Sequence, residues 1–279
     1  MTLPISSRTR LFTLLGDPVS HSLSPTFQNA AIASARLDAV YTALRCAPAD
    51  VPGLLLGVAR AGGGGNVTVP HKELAASAVE RPTEAVVDTG ACNTFWLEDG
   101  VVCGDNTDIE GFERAVESLL GRSARGARVL LIGAGGVARA ALYSLLRTEA
   151  AGVSILNRSA VNAQALAQRF PAGSTSIKVA TAASDVRGEI FDLVVNATTL
   201  GLRSLDPRPL RADFDLGGAA VLDLVYSPGE TEWVRESRAK GARSADGLEM
   251  LLHQGAAAFE RWWGISAPLE AMRSALPPR

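Results

Sequence analysis

At 279 residues the chain is longer than one typical domain, and two domains with a ligand cleft between them is the natural starting point. With 47% hydrophobic and 20% charged residues it has material for real cores and too little charge for a disordered chain. A net charge of −2 without any run of Lys or Arg excludes a phosphate-tracking stripe, and nucleic acid is not expected as a partner.

No apolar run reaches the length of about 18 residues that spans a membrane, and the first residues lack the pattern of a secretory signal. No membrane partner is therefore expected, and a cytoplasmic location is. The three cysteines, Cys46, Cys92 and Cys103, have no metal-ligand spacing and read as reduced, buried thiols rather than a disulfide or metal framework. Only Lys72, Lys178 and Lys240 are lysines among 27 Lys and Arg residues. Lys72, kept beside a turn motif, points to a task for a compact titratable amine, whereas the other two read as surface cations.

In chain order, β-type apolar segments alternate with longer segments of helical period, the signature of βα units and parallel sheets, so the fold class is α/β. A strand over residues 10–15 leads through Gly16-Asp17-Pro18 to a helix, with Ser24 as its N-cap and Pro25 at its first position. His21-Ser22-Leu23-Ser24-Pro25 thereby places two hydroxyls at a helix N-terminus, where donors and dipole suit a carboxylate. A capping turn alone explains Ser24 equally well, but not Ser22.

A strand at 40–44 and a helix near 51–59 come next, and then four glycines at 62–65 that read as a flexible turn. The short strand 66–69 follows, with a helix opening at Pro70. Period two puts Asn66 and Thr68 on one strand face with Lys72 just beyond. After Gly90-Ala91-Cys92-Asn93-Thr94, a hairpin turns at Glu98-Asp99-Gly100 and leads through Asn106-Thr107-Asp108 to a helix over 109–120. A lysine and an aspartate meeting in a cleft can move a hydroxyl proton, though an ordinary ion pair has the same spacing. His21, His71 and His253 read as turn or packing residues.

From residue 128 a second α/β series begins. The strand 129–132 runs into Gly133-Ala134-Gly135-Gly136-Val137-Ala138 and a helix to about residue 147. Glycines placed between a strand and a helix let the backbone approach a pyrophosphate, and the free N–H groups and helix dipole stabilise its charge. The following strand, 153–156, ends in Asn157-Arg158-Ser159 with no acid to bind a ribose hydroxyl, which favours NADP over NAD. Strands at 192–196 and 221–225 continue the series, and residues 248–262, with Trp262 packing at the end, form a last helix after Asp246-Gly247.

Together these segments resemble the shikimate dehydrogenase family over nearly the whole chain: residues 16–29, 66–72, 90–94, 106–108, 133–138, 157–159, 196–201, 223–231 and 247–264. The resemblance implies an N-terminal α/β substrate and catalytic domain, residues 1–107 completed by helices in 247–279, and a Rossmann-type NADP-binding domain over 108–246. It implies NADPH-dependent, reversible reduction of 3-dehydroshikimate to shikimate in aromatic amino-acid biosynthesis, by a monomer or a homodimer that needs no metal. Ser22 and Ser24 would hold the substrate carboxylate, and Asn66, Thr68, Asn93, Tyr226 and Gln254 would bind hydroxyls or line the pocket.

By the same resemblance Lys72 and Asp108 would be the catalytic pair. Gly133, Ala134, Gly135, Gly136, Val137, Asn157, Arg158, Ser159, Thr198, Leu224 and Gly247 would meet the cofactor, with Glu84 near it. The chain departs from the family in having Gln28 where histidine is frequent and Asn162 where a second basic residue is usual. The Gln28 variant resembles quinate/shikimate dehydrogenases, which accept NAD, and that is the alternative reading. A regulator that kept the fold without catalysis is a lesser one, opposed by the presence of Lys72, Asp108, Ser22 and Ser24.

Overall fold

A computed structural model describes residues 5–203, 205–227 and 229–276. Residues 1–4 and 277–279, at the ends of the expected substrate domain, lie outside the described residues, as does Pro228 within the matched stretch 223–231. Two compact units divide the chain. Among the described residues, one holds those through Thr107 together with 252–276, and the other spans Asp108–Leu251.

The first unit opens with β1 (Arg10–Gly16), α1 (Ser24–Ser34), β2 (Ala39–Arg45), α2 (Val51–Arg60) and β3 (Gly64–Val67). It continues with α3 (Lys72–Ala78), β4 (Arg81–Pro82), α4 (Glu84–Thr89), β5 (Thr94–Glu98) and β6 (Val101–Asp105). The strands form one sheet in the order β2-β1-β3-β5-β6-β4, parallel from β2 to β3 and antiparallel across β3, β5 and β6. Phe12, Leu14 and Leu15 of β1 are all buried, as a central strand covered on both faces requires. The β5–β6 hairpin turns at Asp99 and Gly100, both with positive φ (51° and 78°), a turn whose twist matches the strands.

Only the start of the glycine run is the turn that its composition predicts: Gly62 has φ of 86° and open space around it. Gly64 and Gly65 lie inside β3, and a Cβ on Gly65 would sit 2.0 Å from the Thr13 carbonyl oxygen of β1. From Gly63 onward the glycines are needed because neighbouring backbones approach too closely for side chains. The helix expected at Pro70 begins instead at Lys72, because the Thr68 carbonyl closes a turn with the His71 N–H first.

The second unit contains α5 (Asp108–Leu120), β7 (Arg128–Ile132), α6 (Gly136–Arg147), β8 (Gly152–Leu156), α7 (Ala160–Gln168) and β9 (Ser176–Ala180). After these come β10 (Leu193–Asn196), β11 (Ala220–Asp223), α8 (Glu232–Ala239) and β12 (Ser244–Ala245). Its sheet is wholly parallel, in the order β12-β11-β10-β7-β8-β9. Counted from β7 this is 3-2-1-4-5-6, the doubly wound dinucleotide-binding order, whose direction reverses between β7 and β10.

The last helices are α9 (Leu248–Trp263) and α10 (Leu269–Ser274). From Leu252 onward α9 belongs to the first unit, tied there by side chains. Gln28 Nε2 donates to the Gly255 carbonyl (2.8 Å), Arg261 Nε to Asp105 Oδ2 (3.0 Å) and Trp262 Nε1 to Thr94 Oγ1 (2.9 Å). Trp262 and Trp263 pack on Phe12, with ring centroids 5.0 and 4.9 Å away.

Candidate active site

In the first unit the end of β3 and its neighbours gather the polar side chains that the sequence singles out. Asn66 and Asn93 are buried, and the Asn66 amide donates to the Asn93 carbonyl (3.2 Å). Asn93 in turn donates to Gln254 Oε1 of α9 (3.4 Å) and accepts from the Thr107 N–H (2.8 Å) and hydroxyl (3.1 Å). One side chain thus fixes both the last helix and the turn leading to Asp108. Lys72 opens α3, and its carbonyl accepts the Cys92 N–H (2.9 Å), which holds the start of that helix beside the segment carrying Asn93.

Thr68 extends the β1–β3 ladder through its N–H to the Leu15 carbonyl (2.8 Å). Its methyl group occupies the space beside Gly16, where a Cβ would come within 2.3 Å. Ser24 is not the N-cap of α1: Leu23 takes that place, with no side-chain cap, and Ser24 is the first helical residue. Ser22 accepts the Ser24 N–H (3.2 Å), so both hydroxyls still stand at the helix start. His71 is fully buried with Nε2 3.0 Å from the Cys46 carbonyl, the packing role expected of it.

The second unit builds its site mainly from backbone. Gly133 follows β7 with φ of 111°, and a Cβ there would lie 2.8 Å from the Ala197 carbonyl oxygen at the end of β10. The glycine turn therefore sits where the strand order reverses. Gly135 caps α6 in an extended conformation and Gly136 begins it, and a Cβ on either meets no protein atom within 4 Å. Open space over two glycines at a helix N-terminus is the form that a pyrophosphate site requires.

At the end of β8, the Asn157 side chain donates to the Ser159 carbonyl (2.9 Å), and Ser159 caps α7 by accepting the Asn162 N–H. Arg158 between them is exposed and makes no ion pair among the described residues, leaving its guanidinium available to a phosphate. The residues present therefore fit NADP. Thr198 donates to Asn196 Oδ1 (2.7 Å), and Gly247 lies against Leu224, where a Cβ would fall 2.3 Å from its carbonyl oxygen. Asp108, the first residue of α5, and Tyr226, whose phenol burial pushes up, also belong to this unit. Glu84 is exposed at the start of α4 in the first unit.

The model of the shikimate dehydrogenase substrate binding domain matches residues 14–95, that of shikimate / quinate 5-dehydrogenase residues 114–201, and that of the shikimate 5'-dehydrogenase C-terminal domain residues 247–276. The shikimate dehydrogenase (NADP(+)) of Halobacterium salinarum is 41% identical over 272 residues, 96% of this chain and 99% of its own. The chain belongs to the shikimate dehydrogenase family.

Among solved structures of shikimate dehydrogenases and their kin, the Thermus thermophilus enzyme in complex with NADP(H) and shikimate is 36% identical, with a TM-score of 0.85 over 96% of this chain and 100% of that one. Quinate dehydrogenase from Corynebacterium glutamicum in complex with NAD is 28% identical, with a TM-score of 0.85 over 96% of this chain and 98% of that one. Beyond the residues singled out from the shikimate dehydrogenase resemblance, the structure adds three at the same places. Tyr41 donates to Asn66 Oδ1 (2.8 Å). Asp223 accepts from Asn196 (2.7 Å) and from Thr231 (2.7 Å). Tyr41 carries no local motif and its partners lie far away in sequence, so no spacing rule finds it. Asp223 and Thr231 bound one matched stretch, and their eight-residue separation was the available signal.

Proposed function

We propose that this chain is an NADP-dependent shikimate dehydrogenase that interconverts 3-dehydroshikimate and shikimate. The observation that supports it most is that one chain, matched along its length to this family, carries both a buried amide and hydroxyl cluster and an open glycine turn at a doubly wound switch point. Ser22 and Ser24 receive the carboxylate, and Asn66, Thr68, Asn93, Tyr226 and Gln254 receive hydroxyls or wall the pocket. The N–H groups of the turn Gly133 to Val137 hold the pyrophosphate, Arg158 with Asn157 and Ser159 holds the adenosine phosphate, and Thr198, Leu224, Gly247 and Glu84 border the rest of the cofactor.

Bound NADPH supplies the hydride that reduces the ring ketone. Lys72 delivers the proton that the developing alkoxide needs, with Asp108 as its partner, and in the reverse direction the same pair takes the hydroxyl proton away. Ketone, hydride and one proton give the alcohol. A biosynthetic, cytoplasmic enzyme acting as a monomer or a homodimer agrees with this chemistry.

Two residues favour a second reading, a quinate/shikimate dehydrogenase that uses NAD as well. Gln28 stands where histidine is frequent, fully buried and donating to the Gly255 carbonyl, and Asn162 supplies no second cation near Arg158. Initial rates with shikimate and quinate, each against NADP and NAD, decide between the readings. Preference for shikimate with NADP supports the first, and faster turnover of quinate with NAD replaces it with the second.

A further inference from the structure

Tyr41 lies in the middle of β2, opposite Phe12 of β1, and is 2% exposed. Its phenol donates to Asn66 Oδ1 at 2.8 Å. Asn66 is one of the residues assigned above to the substrate hydroxyls. The Asn66 amide has two fixed neighbours: Tyr41 donates to its oxygen, and its nitrogen donates to the Asn93 carbonyl. Turning the amide over would set its oxygen against a carbonyl and its nitrogen against an O–H donor. Both contacts would become repulsive, so the remaining Asn66 N–H points one way only.

The tyrosine is itself rigid. Its ring stacks on Trp262 with centroids 5.9 Å apart, and the Trp262 indole is pinned to Thr94. Asn29, one turn into the helix that begins at Ser24, accepts the Tyr41 N–H (2.9 Å) and donates to its carbonyl (2.8 Å). The phenol therefore holds the Asn66 amide on a frame of two strands and two helices.

We infer that Tyr41 is a positioning residue for the substrate: its hydroxyl orients the Asn66 amide and so fixes the direction in which a ring hydroxyl is read. The inference rests on the substrate role given above to Asn66. Tyr41→Phe keeps the ring stack and removes only the hydroxyl. The expected result is a rise of about tenfold in the KM for shikimate, the size of one misplaced hydrogen-bond donor, with kcat and the KM for NADP little changed.

The same substitution placed on Asn66→Ala should add little, because its route through Asn66 is already gone. A Tyr41→Phe enzyme with unaltered shikimate KM, beside an Asn66→Ala enzyme with a raised one, overturns the inference and leaves the substrate reading intact. An Asn66→Ala enzyme with unaltered KM overturns the substrate role of Asn66, and the inference with it. A loss in kcat and both KM values together with a lower Tm makes Tyr41 structural only and also overturns it. If Tyr41→Phe does not fold, fluorotyrosine incorporated at position 41 keeps the shape and alters the donor strength. A shift in shikimate KM alone then supports the inference, and no shift overturns it.

Discussion

The two units build their sites by opposite means. In the first, Tyr41, Asn66, Asn93 and Gln254 are brought together from separate strands, loops and helices by bonds of their side chains; the Asn93–Gln254 pair is 161 residues apart. In the second, Gly135 and Gly136 leave bare backbone under open space, and the nearby side chains mostly hold loops in place. The difference follows from the ligands proposed for them. A pyrophosphate is recognised by charge, which any row of N–H groups at a helix start satisfies. A small acid whose hydroxyls must be told apart needs donors and acceptors in fixed directions, and only side chains braced by other side chains supply them.

Breaking the chemistry while leaving both scaffolds alone should have the largest effect. Lys72→Ala is expected to lower kcat by at least about 100-fold, the usual worth of a positioned acid-base group, with NADP binding by fluorescence titration nearly intact. Unchanged turnover would remove Lys72 from the mechanism. Next in size is the contrast between two glycines of one turn. Gly135→Val fills space that no protein atom occupies, so Tm should hold while the KM for NADP rises by about 100-fold, as misplacement of a bound group does. Gly133→Ala instead strains a left-handed backbone against the Ala197 carbonyl and should lower Tm.

A smaller effect sharpens the picture of the second unit. Asp223 is fully buried, and burial raises its carboxyl above the usual carboxylate range despite donors from Thr231, Asn196 and Val225. The folded unit then holds that proton more tightly than the unfolded chain, so this contribution to stability is greatest at low pH and is lost as pH rises through the folded value. Denaturant unfolding of the wild type and Asp223→Asn across that range should show the wild type losing ground to the variant as pH increases. A constant difference would mean that the carboxyl does not titrate there.

The smallest effect concerns the first unit. Burial pushes the Cys92 thiol up to about 12, so alkylation at neutral pH has to await opening of that unit. Shikimate should slow the alkylation of Cys92 more than NADP does, because only a ligand bound to the closed unit suppresses its opening. Equal protection by both ligands would argue against separate sites.

What the sequence shows of this molecule tracks the same contrast. The dinucleotide turn is legible because its glycines, its strand and its helix are contiguous, and the parallel sheet follows from alternating βα segments. The α/β class and the family are equally plain. The second half of the glycine run reads as loop from composition because its cause, a Thr13 carbonyl 2.0 Å from a would-be Cβ, lies in another strand. Ser24 reads as a cap because serine before proline usually is one, whereas in the fold the helix already begins at Ser24 with Leu23 before it. Tyr41 carries no such signal, because it works through Asn66, a partner that only the fold brings near. The helices α7 and α8 and strand β9 are not singled out by sequence pattern; α7 has a weak apolar face, with only Ala163 and Leu166 buried, and β9 is a largely exposed strand of five residues.

Titrating shikimate and NADP separately into the wild type, Asn66→Ala and Gly135→Val tests the division of labour directly. The account predicts that Asn66→Ala weakens shikimate and spares NADP, and that Gly135→Val weakens NADP and spares shikimate. Loss of both ligands from either variant, or of neither, would contradict it.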